Sequence, residues 1–348
     1  MKFLLSFLLL FISFSHADTK ASSRAIDHAP IGVMGDHYHT KGEAMLSVRQ
    51  SYMKMSGNLY SGDSISTQDI LGMPNPLGSM PANLSVVPTD MTMKMTMLGG
   101  MYAPTYNITL MAMGMFMSKD MHLNTYQPMM SRSLLGSFNT SSSDLSDISL
   151  GALIKLKETE TSRWHAQVSV QKSIGKNDLK GTVLTPMNME MDMILPYGMQ
   201  PSDRASRLIL GITNVQKLNN RYVWGNQMRR KITLSEDQWT FGDQTELNSW
   251  VQYALNPSVA LSSRLKITLQ DRISGKNPMI MAPVQTANPQ NYGGEEVHFG
   301  AGVNFLVNIF PGQVDRLGLE IMTPLLQEKN NLQMESDYKI NFGYQKSF

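Results

Sequence analysis

The sequence predicts an all-β fold, a transmembrane antiparallel β-barrel of about 12 strands. Three observations predict it. Apolar and polar side chains alternate over segments of about ten residues, short and long connections follow one another in turn, and the last segment ends in a row of aromatic residues at Phe348. A secreted β-sandwich would show the same alternation. It would account for neither the terminal Phe nor the order of the connections.

The N-terminus predicts export from the cytoplasm. Residues 1–17 carry Lys2, an apolar run and the small-x-small sequence Ser15-His16-Ala17, which is typical of a cleaved signal peptide. The apolar run is too short to span a membrane as a helix. The chain has no cysteine and a net charge of +2. The first fact fits an oxidising compartment, and the second gives no reason to expect a nucleic-acid partner.

The alternation is clearest in Ser258–Ile273, where Leu261 and Leu265 share one face and Arg264 and Lys266 share the other. Counting such segments gives an even number of strands, as single-chain bacterial barrels require. The predicted strands are Glu43–Met55, Asp90–Tyr102, Asn107–Ser118, Leu145–Glu158, Arg163–Ile174, Ala205–Lys217, Arg221–Leu234, Asp243–Ala254, Ser258–Ile273, Glu295–Ile309, Asp315–Thr323 and Ser336–Phe348.

The connections predict how the barrel is oriented. Short turns follow the even-numbered strands, whereas the odd-numbered ones are mostly followed by long segments such as Ser56–Thr89 and Gly175–Arg204. Short periplasmic turns and long external loops are typical of barrels in the cell outer membrane. Both termini then lie on the periplasmic side. The predicted organisation is a signal peptide over 1–17, a periplasmic or plug-like segment over 18–42 and a barrel in contact with outer-membrane lipid over 43–348.

The C-terminal strand predicts a partner in assembly. Tyr338, Ile340, Phe342, Tyr344 and Phe348 share one face. A final strand of alternating aromatics ending in Phe resembles the signature that the bacterial barrel-assembly machinery recognises. We therefore expect this machinery to bind the strand that ends at Phe348.

Four stretches resemble bacterial outer-membrane proteins labelled generically as transporters. They are VVPTDMTM (Val86–Met93), MYAPT (Met101–Thr105), LPYGMQ (Leu195–Gln200) and APVQTANPQNYGGE (Ala282–Glu295). The segment Ala29–Glu43 resembles the mature N-terminus of the same proteins. The chain is thus similar to the meta-pathway phenol-degradation barrels and, more distantly, to long-chain fatty-acid channels. The resemblance implies a barrel that passes small molecules, including aromatic or otherwise hydrophobic compounds, and it carries no catalytic residue.

Two methionine rows dominate the second and third predicted strands. Met91, Met93, Met95 and Met97 share a face opposite Lys94, so a lumenal Lys94 would turn these methionines toward lipid. The turn Ala103–Tyr106 has four residues, and an even turn sends the two rows to opposite faces. This arrangement predicts that the second row lies in the lumen beside Lys94, whereas an odd turn would stack both rows in one patch. The second row is Met111, Met113, Met115 and Met117.

The same residues suggest an alternative function in metal handling. Met34, Asp36, His37 and His39 lie within six residues of each other, and imidazole and thioether groups both suit copper. The alternative is therefore a copper or soft-metal binding outer-membrane protein that uses this cluster and the methionine row Met111–Met117. A plug held by ordinary hydrogen bonds explains the cluster equally well.

The remaining candidates are charged and histidine side chains on the predicted inward faces. Some should form ion pairs across the lumen, and the rest lean basic, which favours anionic or polarisable solutes. GxSxG, HExxH and P-loop motifs are absent, and His165 and Ser169 would lie about 13 Å apart along a strand, so we expect no enzyme. The candidates are Lys94, His165, Arg229, Lys231, Glu246, Arg264, Lys266 and His298, together with Arg49, Lys155, Glu320 and Lys339.

Overall fold

The computed structural model describes residues 24–78, 80–129, 132–235, 237–308 and 315–348. The predicted signal peptide lies outside these residues. Twelve strands form one antiparallel sheet. They are β1 Ala44–Tyr60, β2 Val86–Tyr102, β3 Ile108–Tyr126, β4 Leu134–Glu158, β5 Ser162–Ser173, β6 Ser206–Lys217, β7 Tyr222–Ser235, β8 Gln244–Asn256, β9 Val259–Gln270, β10 Gly294–Val307, β11 Asp315–Lys329 and β12 Leu332–Ser347.

The sheet closes on itself. Each strand pairs with its neighbours in chain order, and β12 also pairs with β1, from Met45 opposite Ser347 to Tyr60 opposite Leu332. Closure pairs the backbone polar groups of what would otherwise be two open edges, which a lipid environment requires. The predicted 12-stranded barrel is confirmed.

Several strands are longer than the alternation predicts, and β4 is the largest case. It begins at Leu134 rather than Leu145. The register shifts between Met115 and Phe116 where β3 pairs with β4, so the inward and outward positions of β4 exchange parity there. Beyond this bulge both faces are largely polar, and the period-2 signal disappears.

The outer surface carries an apolar band. Leu150, Val170, Ile321 and Phe342 are between 48% and 66% exposed and point away from the lumen. A soluble protein rarely leaves so much contiguous apolar surface in water, whereas a transmembrane barrel presents such a band to lipid. No helix among the described residues is long and apolar enough to cross a membrane.

The N-terminal segment 24–43 lies inside the barrel. Its backbone carbonyls accept hydrogen bonds from barrel side chains: Arg49 donates to Ile31 and Val33, both at 2.9 Å, and Gln252 donates to His28 at 2.7 Å. These donors replace the partners that water would supply to an irregular backbone. The segment therefore forms a polar-bonded plug across the lumen.

Ile31 anchors this plug. A Cβ on Gly318 would lie 2.7 Å from the Ile31 Cβ, and one on Gly343 would lie 2.6 Å from Ile31 Cγ1. These two strand glycines thus form the seat into which the Ile31 side chain fits.

The long connections pack over the other end of the barrel. Tyr197, Met199, Trp239 and Val284 are almost fully buried in one apolar cluster there. The short elements in the plug and the connections are the helix α1 Thr67–Gly72, the 3-10 turns Ala25–Asp27, Tyr197–Met199 and Gln285–Ala287, and the short strands Asp63–Ser64, Lys180–Leu184, Glu190–Ile194, Trp239–Thr240 and Ser274–Gly275.

Candidate functional site: a two-walled lumenal chamber

A chamber of about 520 Å³ lies in the lumen between the plug and the packed loops. One wall consists of thioethers from β1, β2 and β3. Met53 is paired with Met93, Met95 with Met117, and Met97 with Met115. We call this wall the methionine ladder: Met53, Met93, Met95, Met97, Met113, Met115 and Met117.

The prediction that the two methionine rows face opposite sides is therefore wrong. Tyr102 pairs with Leu110, so seven residues, an odd number, separate the paired positions across the turn. Odd positions on β2 then pair with odd positions on β3, and the rows stack on the lumenal face. Met111 lies at the end of its row, where Gln167 Nε2 approaches its sulfur at 3.8 Å.

The predicted lumenal position of Lys94 is also wrong. Lys94 is exposed and lies on the outer face, in a groove with Tyr52 and Phe116. The outward neighbour on β3 is Ser118, so the apolar band has ended at this height on this side of the barrel. A polar side chain there marks the upper rim of the outer wall.

The opposite wall of the chamber is charged. Glu246 lies 2.5 Å from Lys266 Nζ and 3.2 Å from an Arg229 nitrogen. Arg264 lies 2.7 Å from Glu320, and both side chains are almost fully buried. The Glu246 pairs join neighbouring strands, since Glu246 is on β8, Arg229 on β7 and Lys266 on β9. The Arg264–Glu320 pair joins β9 to β11 across β10.

The basic groups outnumber the acids. Nine Lys and Arg residues line the chamber against four Asp and Glu residues. Lys231 and Lys339 have neither an ion pair nor a hydrogen bond to any described residue. Lys339 is paired with Met53 on the neighbouring strand, so its ammonium group borders the methionine ladder.

The other predicted lumenal residues have structural partners. His165 is 1% exposed and its Nε2 donates to the Gly35 carbonyl of the plug at 2.8 Å. His298 lies 4.0 Å from Glu296, which Lys329 approaches at 3.1 Å. Lys155 forms an ion pair with Glu158 away from the chamber.

The plug contains the residues best placed to hold a metal ion. Ligand atoms of His28, Asp36 and His37 lie within 4.8 Å of one another. Burial lowers the pKa of His28, helped by the charge of Arg316. Within this group His37 Nδ1 and an Asp36 carboxylate oxygen lie 3.1 Å apart.

The copper site expected from the sequence is not assembled. Met34 accepts a hydrogen bond from Arg49, and His39 Nδ1 lies 3.4 Å from Glu43. Met34, Met113, Met115 and Met117 line the chamber, whereas Asp36, His37 and His39 do not. The chamber lining thus contains four methionines of the proposed ligand set and neither of its histidines, and no observation favours copper.

The sequence did not predict that Met53 and the first methionine row, Met93, Met95 and Met97, face the lumen. Met53 lies between Tyr52 and Lys54, and an apolar methionine next to a lysine in a membrane strand is normally expected to face lipid. Arg49 could have indicated the correct face. It lies four residues before Met53 on the same strand, so the two side chains share a face, and an arginine in a membrane barrel is expected to face the lumen.

Comparison with known proteins shows the fold. No family model and no curated protein matches the chain. Among solved structures, it is similar to the COG4313 outer membrane channel from Pseudomonas putida F1, with 15% identity over 91% of this chain and 99% of that chain and a TM-score of 0.56.

Two more distant structures are a Pseudomonas aeruginosa FadL homologue and the P. putida toluene transporter TodX. Both are 11% identical to this chain. The match to the FadL homologue covers 88% of this chain and 90% of that chain, with a TM-score of 0.42. The match to TodX covers 88% of this chain and 89% of that chain, with a TM-score of 0.41. The likeness to the COG4313 channel, with its TM-score of 0.56, shows that the chain has the same barrel fold.

Proposed function

We propose that this protein is a passive channel of the cell outer membrane that admits small organic molecules. The observation that carries the proposal is the solute-sized chamber, which lies inside a closed barrel with an apolar outer band. A purely structural barrel has no need of such a space, because small barrels fill their interior with side chains. The likeness to an outer membrane channel supports the same reading.

The chamber offers space for binding and passage. His165, the candidate general base, is held by the plug carbonyl of Gly35 and lies outside the chamber lining. On the charged wall Glu246 is paired with Arg229 and Lys266. The proposed role is therefore transport.

Planar-bilayer recordings and solute uptake test this function. Purified protein refolded into lipid vesicles should admit small aromatic solutes faster than empty vesicles do, and should show discrete conductance steps in a planar bilayer. The absence of both solute flux and conductance would refute the channel. A heat-modifiable band on an unboiled gel establishes that the tested protein is folded.

We also propose that the barrel-assembly machinery recognises β12. Phe348 is 48% exposed on the outer face with Phe342, so its ring is available to a partner before lipid covers it. The variant F348A should reach the outer membrane in smaller amounts, while an outward substitution remote from the terminus, L150A, should not. Equal amounts of F348A and L150A in the outer membrane would contradict recognition of β12 through Phe348.

A further inference from the structure

We infer that the chamber binds small organic anions with an apolar body, the body on the methionine ladder and the anionic group at Lys339. This inference rests on the proposed channel function and names the chemical class of its cargo. The juxtaposition that carries it is Lys339 in register with Met53, and Met53 in register with Met93.

The methionine ladder supplies the apolar contact. Thioether side chains are flexible and polarisable, and they make favourable contacts with aromatic rings. Seven of them cover neighbouring positions on three strands. They form a continuous soft surface that no hydrogen-bond donor interrupts along the Met95–Met117 and Met97–Met115 pairs.

The chamber has an excess of positively charged side chains. Each acid of the chamber already has partners: Glu246 has Lys266 and Arg229, Glu296 has Lys329, and Asp203 has Arg207. Asp147 accepts hydrogen bonds from Ser146 and Ser173. Among the described residues Lys339 has no acid within 4.0 Å, the distance of a direct ion pair, so an incoming anion can supply that direct partner.

The same surplus argues against a soft metal cation as cargo. A thioether surface by itself suits Cu(I) or Ag(I). Here it lies beside Lys339 and opposite Arg229, Arg264 and Lys266, and like charges disfavour a cation in a low-dielectric lumen. The combination of thioether and ammonium groups fits an organic anion better than either a metal or a neutral hydrocarbon.

Equilibrium binding distinguishes these cargoes. Isothermal titration of the full-length folded protein in detergent would use benzoate, benzyl alcohol, benzylamine, acetate and Ag(I) as separate probes. We expect benzoate to bind most tightly of the five. Benzyl alcohol lacks the charge and should bind at least about tenfold more weakly, the scale of one charge-assisted hydrogen bond. Acetate lacks the apolar body and should also bind at least about tenfold more weakly, because it buries no ring on the methionine ladder.

Three variants locate the two halves of the site. K339M should lower benzoate affinity about tenfold and leave that for benzyl alcohol unchanged. The double variant M93T/M95T should lower the affinity for both aromatic probes and leave acetate unchanged. K94M is the matched control, because Lys94 lies on the outer face, and it should bind benzoate as the wild type does.

The outcomes separate this inference from the channel itself. If benzylamine or Ag(I) binds more tightly than benzoate, or if K339M and K94M behave alike, the organic-anion site is refuted while the channel stands on its conductance. If solute flux and conductance are absent but benzoate binds as expected, the site stands and the transport role fails. A heat-modifiable band for each variant excludes misfolding as the cause of lost binding.

Discussion

Arg264 and Glu320 form the most deeply buried ion pair of the lumen. Their side chains are 3% and 1% exposed, and Asn248 and Asn341 add hydrogen bonds to the pair. Removing the guanidinium leaves the Glu320 carboxylate buried without its cation. We expect R264A to lower the free energy of unfolding by about 3–5 kcal/mol, measured by urea unfolding in lipid vesicles.

R230A is the control for this prediction. Arg230 is also a strand arginine, but it is 51% exposed and lies 3.8 Å from Asp243. An exposed pair contributes no more than about 1 kcal/mol. Equal losses of stability in R264A and R230A would contradict the importance assigned to burial.

Asp203 makes stability depend on pH. Burial alone would raise the pKa of its carboxyl, but the hydrogen bond and charge of Arg207, with backbone donors from Phe241 and Ala205, hold the pKa below its ordinary value. The unfolded chain therefore takes up the proton first as pH falls. The stabilisation is complete above a pH of about 4, the ordinary carboxyl pKa, and is lost below it.

The variant D203N tests this pH dependence. Urea unfolding between pH 7 and pH 3 should show a steeper loss of stability in the wild type than in D203N, because the amide does not titrate. Parallel curves would show that Arg207 does not stabilise the charged form of Asp203.

Side-chain direction was the least predictable property at this scale. The sequence places Lys94 among alternating methionines, and polar side chains inside a barrel usually face the lumen. That rule fails where a strand rises above the hydrocarbon, since the outer face also becomes polar there, as Ser118 beside Lys94 shows. By contrast, Arg229, Lys231, Glu246, Arg264, Lys266 and His298 all line the chamber, because their strands stay within the apolar band.

At the scale of elements, the plug and its seat on β11 and β12 control the open area of the lumen. Ile31 fits against Gly318 and Gly343, and a Cβ at Gly318 would lie 2.7 Å from the Ile31 Cβ. A branched side chain there cannot coexist with the seated Ile31. We expect G318V to displace the plug and raise the single-channel conductance above that of the wild type.

G114V provides the matched comparison for the plug. Gly114 is a strand glycine on the outer face, and a Cβ added there meets no atom within 4 Å. Its conductance should equal that of the wild type. If G318V also conducts like the wild type while it folds normally, the seated Ile31 does not limit passage.

The plug could be predicted only as a segment, not as a set of contacts. Residues 18–42 lack the alternation of a strand, so the sequence separates them from the barrel. Their bonds to Arg49, Gln252 and His165 join residues up to 224 positions apart. Such pairings depend on which side chains meet across the closed lumen, and no local pattern in a single sequence records them.

At the scale of the whole molecule, strand number and strand order follow from the sequence, because lipid forces a period-2 signal on each spanning segment. The twelve predicted segments all overlap barrel strands. The sequence did not predict the ends of β3 and β4, which extend beyond the apolar band. Water surrounds both faces of these ends, so polar residues occur on both and the alternation is lost. The same reasoning predicts an orientation, with the long connections outside the cell and the short turns in the periplasm.

Cysteine labelling tests this orientation in living cells. The chain has no cysteine, so single substitutions report cleanly. Met187 is 76% exposed in a long connection, and Leu218 is 57% exposed in the short turn between β6 and β7. A membrane-impermeant maleimide should label M187C on intact cells and label L218C only after the outer membrane is permeabilised. Labelling of L218C but not M187C on intact cells would invert the proposed orientation, and equal labelling of both would place neither site behind a membrane.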